Sequence, residues 1–190
     1  MKSCTLLLAL LLPLVCLATK FSYSDIPMKD GRPHYEFTVA APGTGKNELF
    51  HRAQLFLAEY FKKSTPEIKI ADKEDGILTA EITLFYNYVD NPNVVNGKSQ
   101  CLLYIKATDS SCQVSAYDFT LYRKQVEARN TNVSVYGDPI MVGRNVWSRE
   151  DEAAIYKRAA GNDKRSLDLL QHMHACVQKL REALEKKLKG

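Results

Sequence analysis

The sequence predicts an α+β domain: a five-stranded, mainly antiparallel sheet with one face covered by two helices. Three observations predict this class. Several segments between residues 35 and 122 alternate apolar and polar residues with the period of a strand. Two others, near residue 50 and from residue 164 onward, carry apolar residues at helical spacing. The 190 residues are 45% hydrophobic and 25% charged, a composition typical of one folded domain.

The N-terminus, residues 1–18, has the pattern of a signal peptide. A short positive start precedes an apolar run from Leu6 to Leu17, and small Ala18 stands where a signal peptidase would cut. We therefore expect an exported protein, periplasmic or extracellular, with no stable membrane insertion after cleavage. A second interpretation makes Cys16 a lipidated first residue that holds the protein at the envelope. The two residues before it, however, are larger than a lipidation signal prefers.

The first strand and helix follow a lead-in, residues 19–32, that has no apolar period. The core, residues 33–124, begins with a strand because Tyr35, Phe37 and Val39 alternate with more polar residues. A Pro-Gly turn then leads into helical spacing. The apolar residues of this first helix are Leu49, Ala53, Phe56, Leu57 and Tyr60.

Four strands are predicted in succession after this helix. We expect them at residues 68–70, Ile77–Val89, 101–107 and 113–122. Asp75-Gly76 is a hairpin turn signal, and the Asn-rich segment Asp90–Lys98 is expected to be a loop. Because the connections are short, the strands should form an antiparallel meander.

The remainder of the chain is predicted to be a polar connection followed by a long helix. Residues 125–163 lack a sustained period, but Ser148 and Asp151 fit the start of a short helix that Gly161 ends. Residues 164–190 form the long amphipathic helix. Its apolar residues are Leu167, Leu170, His174, Val177, Leu180, Leu184 and Leu188.

This C-terminal helix has two possible destinations, the sheet or a membrane surface. It carries seven Lys and Arg against three Asp and Glu, and that excess equals the net charge of the whole chain, +4. Burying some five Leu or Val side chains contributes roughly 1.5–3 kcal/mol each, against about 1 kcal/mol per Lys at an anionic bilayer. We therefore expect the helix to dock on the sheet and complete a single domain.

The first helix and the turn before the long strand carry a motif. It consists of Lys46, Glu48, Leu49, Arg52, Ala53, Phe56 and Tyr60, with the acidic-Gly turn at residues 72–76. These residues resemble a family of exported bacterial domains of unknown function described as having a TATA-binding-protein-like (TBP-like) fold. The resemblance covers roughly residues 33–124 and implies that fold, but it brings no catalytic residue. Fold does not imply function, and an exported protein does not meet the chromosome, so we expect no nucleic-acid partner.

No motif in the sequence predicts a reaction, a cofactor or a metal site. Gly43-Thr44-Gly45-Lys46 looks like part of a phosphate-binding loop, but alanine at position 40 and asparagine at position 47 replace two of its required residues. His172 and Cys176 share one helix face, yet two ligands make a weak metal site. We therefore expect no catalytic residues, no metal and no cofactor.

The three cysteines beyond the signal peptide are expected to remain unpaired. The predicted register places Cys112 near Ala107 and Cys101 near Asp118, too far apart for a disulfide. Cys176 lies on the last helix. Since three is an odd number, at most one disulfide could form.

Five tyrosines on three neighbouring strands are the candidate ligand-binding residues: Tyr86, Tyr88, Tyr104, Tyr117 and Tyr122. Tyrosine offers an apolar face with one polar group, which suits ligand pockets and sheet packing alike. We predict a non-catalytic binding or interaction module whose partner is an envelope protein or a small apolar ligand. The alternative is a hydrolase-type enzyme with a site near the Asp90–Lys98 loop, using carboxylates such as Asp90 and Asp118.

Overall fold

Eight strands and three α-helices make up the computed structural model, which describes residues 21–62, 64–90, 93–131 and 140–190. The strands are β1 (Met28–Lys29), β2 (Arg32–Pro33), β3 (Tyr35–Ala40), β4 (Glu67–Asp72), β5 (Ile77–Asp90), β6 (Asn93–Thr108), β7 (Ser111–Thr131) and β8 (Ile140–Arg149). The helices are α1 (Lys46–Tyr60), α2 (Glu152–Ala160) and α3 (Lys164–Lys189). The predicted signal peptide, residues 1–18, lies outside the described residues.

The main sheet has the strand order β3-β7-β6-β5-β4, and every neighbouring pair is antiparallel. This confirms the α+β class, the mainly antiparallel sheet and the meander, but the sheet has six strands where five were predicted. A sixth strand, β8, pairs with the second half of β7, whose first half pairs with β3. The lead-in is more regular than expected, because it contains a short 3₁₀ helix, Tyr23–Asp25, and the small β1–β2 hairpin.

The prediction that residues 125–163 form a polar connection with a short helix was wrong for residues 125–131 and 140–149, which are strands. β7 continues to Thr131, and β8 begins at Ile140 and pairs with it. β6 pairs with β7 no further than Arg123, so in the described chain the last residues of β7 pair with β8 alone. A ribbon of two strands does not have to bury one face, and its sequence therefore lacks the alternation of a sheet strand. The short helix in this segment is confirmed as α2, with the Asp151 carboxylate accepting a hydrogen bond from the Ala154 N–H at 3.1 Å.

The prediction of a loop at Asp90–Lys98 was also wrong. β5 runs to Asp90 and β6 starts at Asn93, and these two residues are ladder partners. The Asn and Gly residues look like loop residues in the sequence. In the structure Asn93, Asn96 and Gly97 lie in a paired strand, and its inward residues, including Val95 and Ser99, are buried. The backbone ladder stabilises this hairpin without a strong side-chain signal.

Both α1 and α3 lie on one face of the sheet, where the core is. The inward residues of β5 are all buried, as predicted: Leu78, Ala80, Ile82, Leu84, Tyr86 and Tyr88. α3 packs against β5 and α1 and buries Ser166, Leu169, Leu170, Met173, Val177, Leu180, Leu184 and Leu188. The predicted docking of this helix is confirmed, although Met173 rather than His174 occupies the fully buried position. Across the described residues, no helix is both long and apolar enough to span a bilayer.

Candidate binding surface on the uncovered sheet face

The face of the sheet opposite α1 and α3, here called the open face, carries side chains in cross-strand rows. Leu102 of β6 pairs with Tyr117 of β7, and four residues earlier on β6, Lys98 pairs with Tyr122. Gln100 and Thr120 form the polar row between them. Aromatic and polar rows therefore follow one another along the strands, with successive rows about 6.7 Å apart.

A cavity of about 710 Å³ lies on this face and crosses four strands, from β4 to β7. We call it the aromatic groove. Its apolar lining comes from Tyr104, Tyr117, Tyr122, Leu102 and Ile70. Its uncharged polar lining is Thr79, Gln100 and Thr120, and its charged lining is Lys69, Glu81 and Asp118.

Two β-bulges shape the ends of the aromatic groove. In β7, Asp118 has φ +58°, and the register with β6 jumps between the Gln100 and Leu102 positions. This bulge keeps Tyr117 on the open face while Phe119, two residues later, is buried. At the opposite end, a register shift in β4 between Ile68 and Ile70 accompanies the placement of Ile70 in the groove.

The charged side chains that line the aromatic groove are paired. The Lys69 ammonium lies 2.7 Å from Glu67 and 3.5 Å from Glu81, and its hydrogen bond to Glu67 raises the pKa of Lys69. The Asp118 carboxylate lies 3.4 Å from an Arg32 guanidinium nitrogen. The groove therefore offers aromatic faces and uncharged hydrogen-bonding groups, with its own charges compensated.

The five candidate tyrosines divide between the two faces. Tyr104, Tyr117 and Tyr122 line the aromatic groove, and the Tyr117 ring stacks on His34 with centroids 5.5 Å apart. Tyr86 and Tyr88 lie in the core under the helices, 8% and 1% exposed, and burial raises the pKa of both phenols. Strand alternation could have separated the core tyrosines from the groove tyrosines. Tyr86 and Tyr88 are an even number of residues from the other inward residues of β5 and therefore lie on the same face as these.

An aromatic cluster beside the aromatic groove was missed in the sequence. The Lys98 ammonium lies 4.7 Å from the Tyr122 ring centroid and 5.1 Å from that of Trp147, and Phe85 lies 6.2 Å from Trp147. Phe85 and Trp147 are 52% and 38% exposed. Trp147 was missed because it lies in the segment that was predicted to be a connection. Phe85 could have been recognised, because it alternates with the inward residues of β5 and therefore lies on the open face.

The two carboxylates of the hydrolase hypothesis do not share a site. Asp90 lies 3.0 Å from Arg123 and 3.3 Å from Arg165, so two guanidiniums hold it. Asp118 is opposite Cys101, whose partner on β5 is Ile82, eight residues before Asp90. Eight residues of strand span roughly 26 Å, too far for two groups to act on one bond.

The suspected metal ligands also point to separate partners. The His172 ring hydrogen-bonds the Asp168 carbonyl at 2.8 Å, and the Cys176 thiol donates to the Phe85 carbonyl at 3.6 Å. Within the described ranges, no three His, Cys, Asp or Glu side chains come together in a way that could hold an ion. The three cysteines are unpaired, with Cys101 and Cys112 buried, and Cys112 opposite Ala107 as predicted.

Residues 35–122 match DUF4468, a domain of unknown function with a TBP-like fold. This match confirms the resemblance carried by the first helix and the acidic-Gly turn. The matched segment runs from β3 to Tyr122, so it contains the three tyrosines of the aromatic groove and excludes β8, α2 and α3. The description of the family names a fold but no function, so it assigns no role to the residues of the aromatic groove.

Two solved structures are similar to this chain. A TBP-like protein from Parabacteroides distasonis aligns with a TM-score of 0.57 at 14% identity, and the alignment covers 87% of this chain and 97% of the Parabacteroides chain. That alignment shows the TBP-like fold. A DUF4468 family protein from Bacteroides ovatus aligns with a TM-score of 0.47 at 11% identity, covering 53% of this chain and 61% of its own. No curated protein sequence matches the chain.

Proposed function

We propose that this chain is a non-catalytic binding module of the cell envelope and that the aromatic groove is its binding surface. The observation that carries the proposal is the contrast between the two sheet faces. One face is covered by α1 and α3, while the other leaves three tyrosines in a cavity of about 710 Å³. Exposed aromatic surface with polar groups around it is typical of sites that bind a partner.

The shape of the aromatic groove favours an extended partner over a small apolar ligand. A small apolar ligand needs an enclosed pocket that buries most of its surface. The space between the helices and the sheet is filled by the core, where residues such as Leu103, Met173 and Leu180 are at most 1% exposed. The groove instead crosses four strands on an open face, where a polymer or a protein segment can lie and continue beyond its ends.

The ion pairs argue against the hydrolase alternative. A carboxylate acting as general acid or base must be able to reach the substrate. Asp90 lies within ion-pair distance of two arginines and Asp118 within that of one, so guanidinium groups already engage both carboxylates. The two groups are also roughly 26 Å apart along the sheet. These contacts support a structural role for Asp90 and a place at the rim of the aromatic groove for Asp118.

The proposal is tested with the chain from residue 19 and three variants. Tyr104→Ala and Tyr117→Ala each remove one ring of the aromatic groove, and Tyr60→Ala removes an exposed ring on α1 as a matched control. Retention on immobilised cell-wall material and on envelope protein fractions is compared for all four proteins. We expect the groove variants to lose retention and Tyr60→Ala to keep it.

Two results would contradict the proposal. One is equal retention of all four proteins, which would place the binding surface elsewhere. The other is hydrolytic turnover that Asp90→Asn or Asp118→Asn abolishes, which would make the chain an enzyme.

A further inference from the structure

This inference rests on the proposed function, because it names the ligand class of the aromatic groove. We infer that the ligand is an uncharged carbohydrate chain. A sugar ring has an apolar C–H face and a rim of hydroxyl groups. It therefore needs an aromatic surface to pack on and uncharged donors and acceptors beside it.

The rows of the open face meet both needs. Tyr117 and Tyr122 belong to aromatic rows, and the row between them is Gln100 with Thr120. An amide and a hydroxyl therefore lie between two ring surfaces, within reach of the rim of a sugar packed on either. Next to Tyr104, its ladder partner Thr79 supplies a second hydroxyl. All of these residues line the same cavity.

The charges of the aromatic groove favour a neutral ligand. Lys69 is bracketed by Glu67 and Glu81, and Asp118 is paired with Arg32, so the charged groups of the lining already have partners. An acidic or basic polymer binds through uncompensated charge of the opposite sign. Lys98, beside the groove, lies over two aromatic rings that interact with its charge.

The length and openness of the aromatic groove favour an oligosaccharide over a single sugar. A groove lined by four neighbouring strands spans about 14 Å, three inter-strand spacings. The aromatic surface also continues along the strands, past Tyr122 to Trp147 and Phe85, so a longer chain would meet further rings there.

The test is binding of the chain from residue 19 to a printed array of neutral and acidic glycans, followed by calorimetry with the strongest binder. We expect neutral oligosaccharides to bind, with an affinity that changes less than about twofold between 50 and 500 mM NaCl because no ion pair forms. Tyr104→Ala and Tyr117→Ala should each weaken binding about tenfold or more, since each removes a ring that the bound ligand would cover. Tyr60→Ala should bind like the original protein.

Three outcomes overturn the inference and separate it from the proposed function. Stronger, salt-sensitive binding to acidic glycans would show a charged ligand. Absence of binding to every glycan, while envelope protein fractions are still retained through Tyr104 and Tyr117, would mean that the ligand is a protein and would leave the proposed function standing. If Tyr104→Ala and Tyr117→Ala changed the binding of no glycan and no envelope protein, both the inference and the proposed function would be wrong.

Discussion

Replacing Gly97 with alanine is expected to destabilise the domain by displacing the ring of Tyr86. The two residues are direct partners in the β5–β6 ladder. A Cβ atom at position 97 would come 2.5 Å from Cε2 of Tyr86, closer than real Cβ contacts come. Tyr86 is 8% exposed and its hydroxyl hydrogen-bonds Ser99 at 2.8 Å, so the ring cannot move without losing that bond.

The magnitude follows from three contributions to the free energy of unfolding. Overpacking costs about 1–3 kcal/mol, and the lost Tyr86–Ser99 hydrogen bond costs about 1 kcal/mol. Alanine is favoured over glycine within a strand, which offsets about 0.5–1 kcal/mol of this loss. We expect Gly97→Ala to lower the free energy of unfolding by about 1–3 kcal/mol, measured by urea unfolding followed by circular dichroism. Asn96→Ala is the control, because Asn96 is the neighbour of Gly97 on β6 and its side chain is exposed.

A second background tests the mechanism. In a Tyr86→Ala protein, the ring that Gly97→Ala displaces is absent, and the added methyl group should be close to neutral. Equal destabilisation in both backgrounds, or none in the original protein, would refute the role given to this contact.

Three further predictions concern the helix, a thiol and a histidine. Leu180→Ala should lower the free energy of unfolding by about 2–5 kcal/mol because the side chain is fully buried, whereas Leu55→Ala, at a 37% exposed site, should change it by less than about 0.5 kcal/mol; urea unfolding measures both. Burial raises the pKa of Cys112 to about 11, so iodoacetamide should label this thiol slowly at pH 8 in the native protein and quickly in urea, read by mass spectrometry. Burial lowers the pKa of His174, so the folded state favours the neutral imidazole. The resulting stabilisation is complete above the pKa of the unfolded state, about 6.5, and is lost as the pH falls. The urea midpoint should therefore drop between pH 7.5 and pH 5, less so in His174→Gln than in the control His51→Gln; an equal drop in both would exclude His174 as the cause.

The parts of the fold that bury one face could be predicted from the sequence. Alternation indicated β5 and its inward side chains, because a half-buried strand must place apolar residues on one side. Helical spacing indicated α1 and α3 for the same reason. The β8 strand and the first residues of β6 were missed, because pairing through backbone hydrogen bonds leaves little trace in residues such as Asn96 and Gly97.

The candidate site could be predicted in part. Three tyrosines of the aromatic groove were identified, and two core tyrosines were included with them because residue type was weighed without strand parity. The bulge at Asp118 could not be predicted. Aspartate can adopt a positive φ, but no feature of the sequence distinguishes an aspartate at a bulge from one in an ordinary strand. The contribution of Trp147 depends on the β7–β8 pairing, a long-range contact that local patterns do not contain.

The most direct test of the central claim, that the aromatic groove is the binding surface, is an NMR titration of the tyrosine rings. The chain has ten tyrosines, whose ring signals can be assigned with single Tyr→Phe variants. The strongest binder found, of whatever class, is added to the labelled protein. We expect the signals of Tyr104, Tyr117 and Tyr122 to shift while that of Tyr60, on the helical side, stays in place. Shifts confined to Tyr60, with the three groove tyrosines unmoved, would contradict the claim.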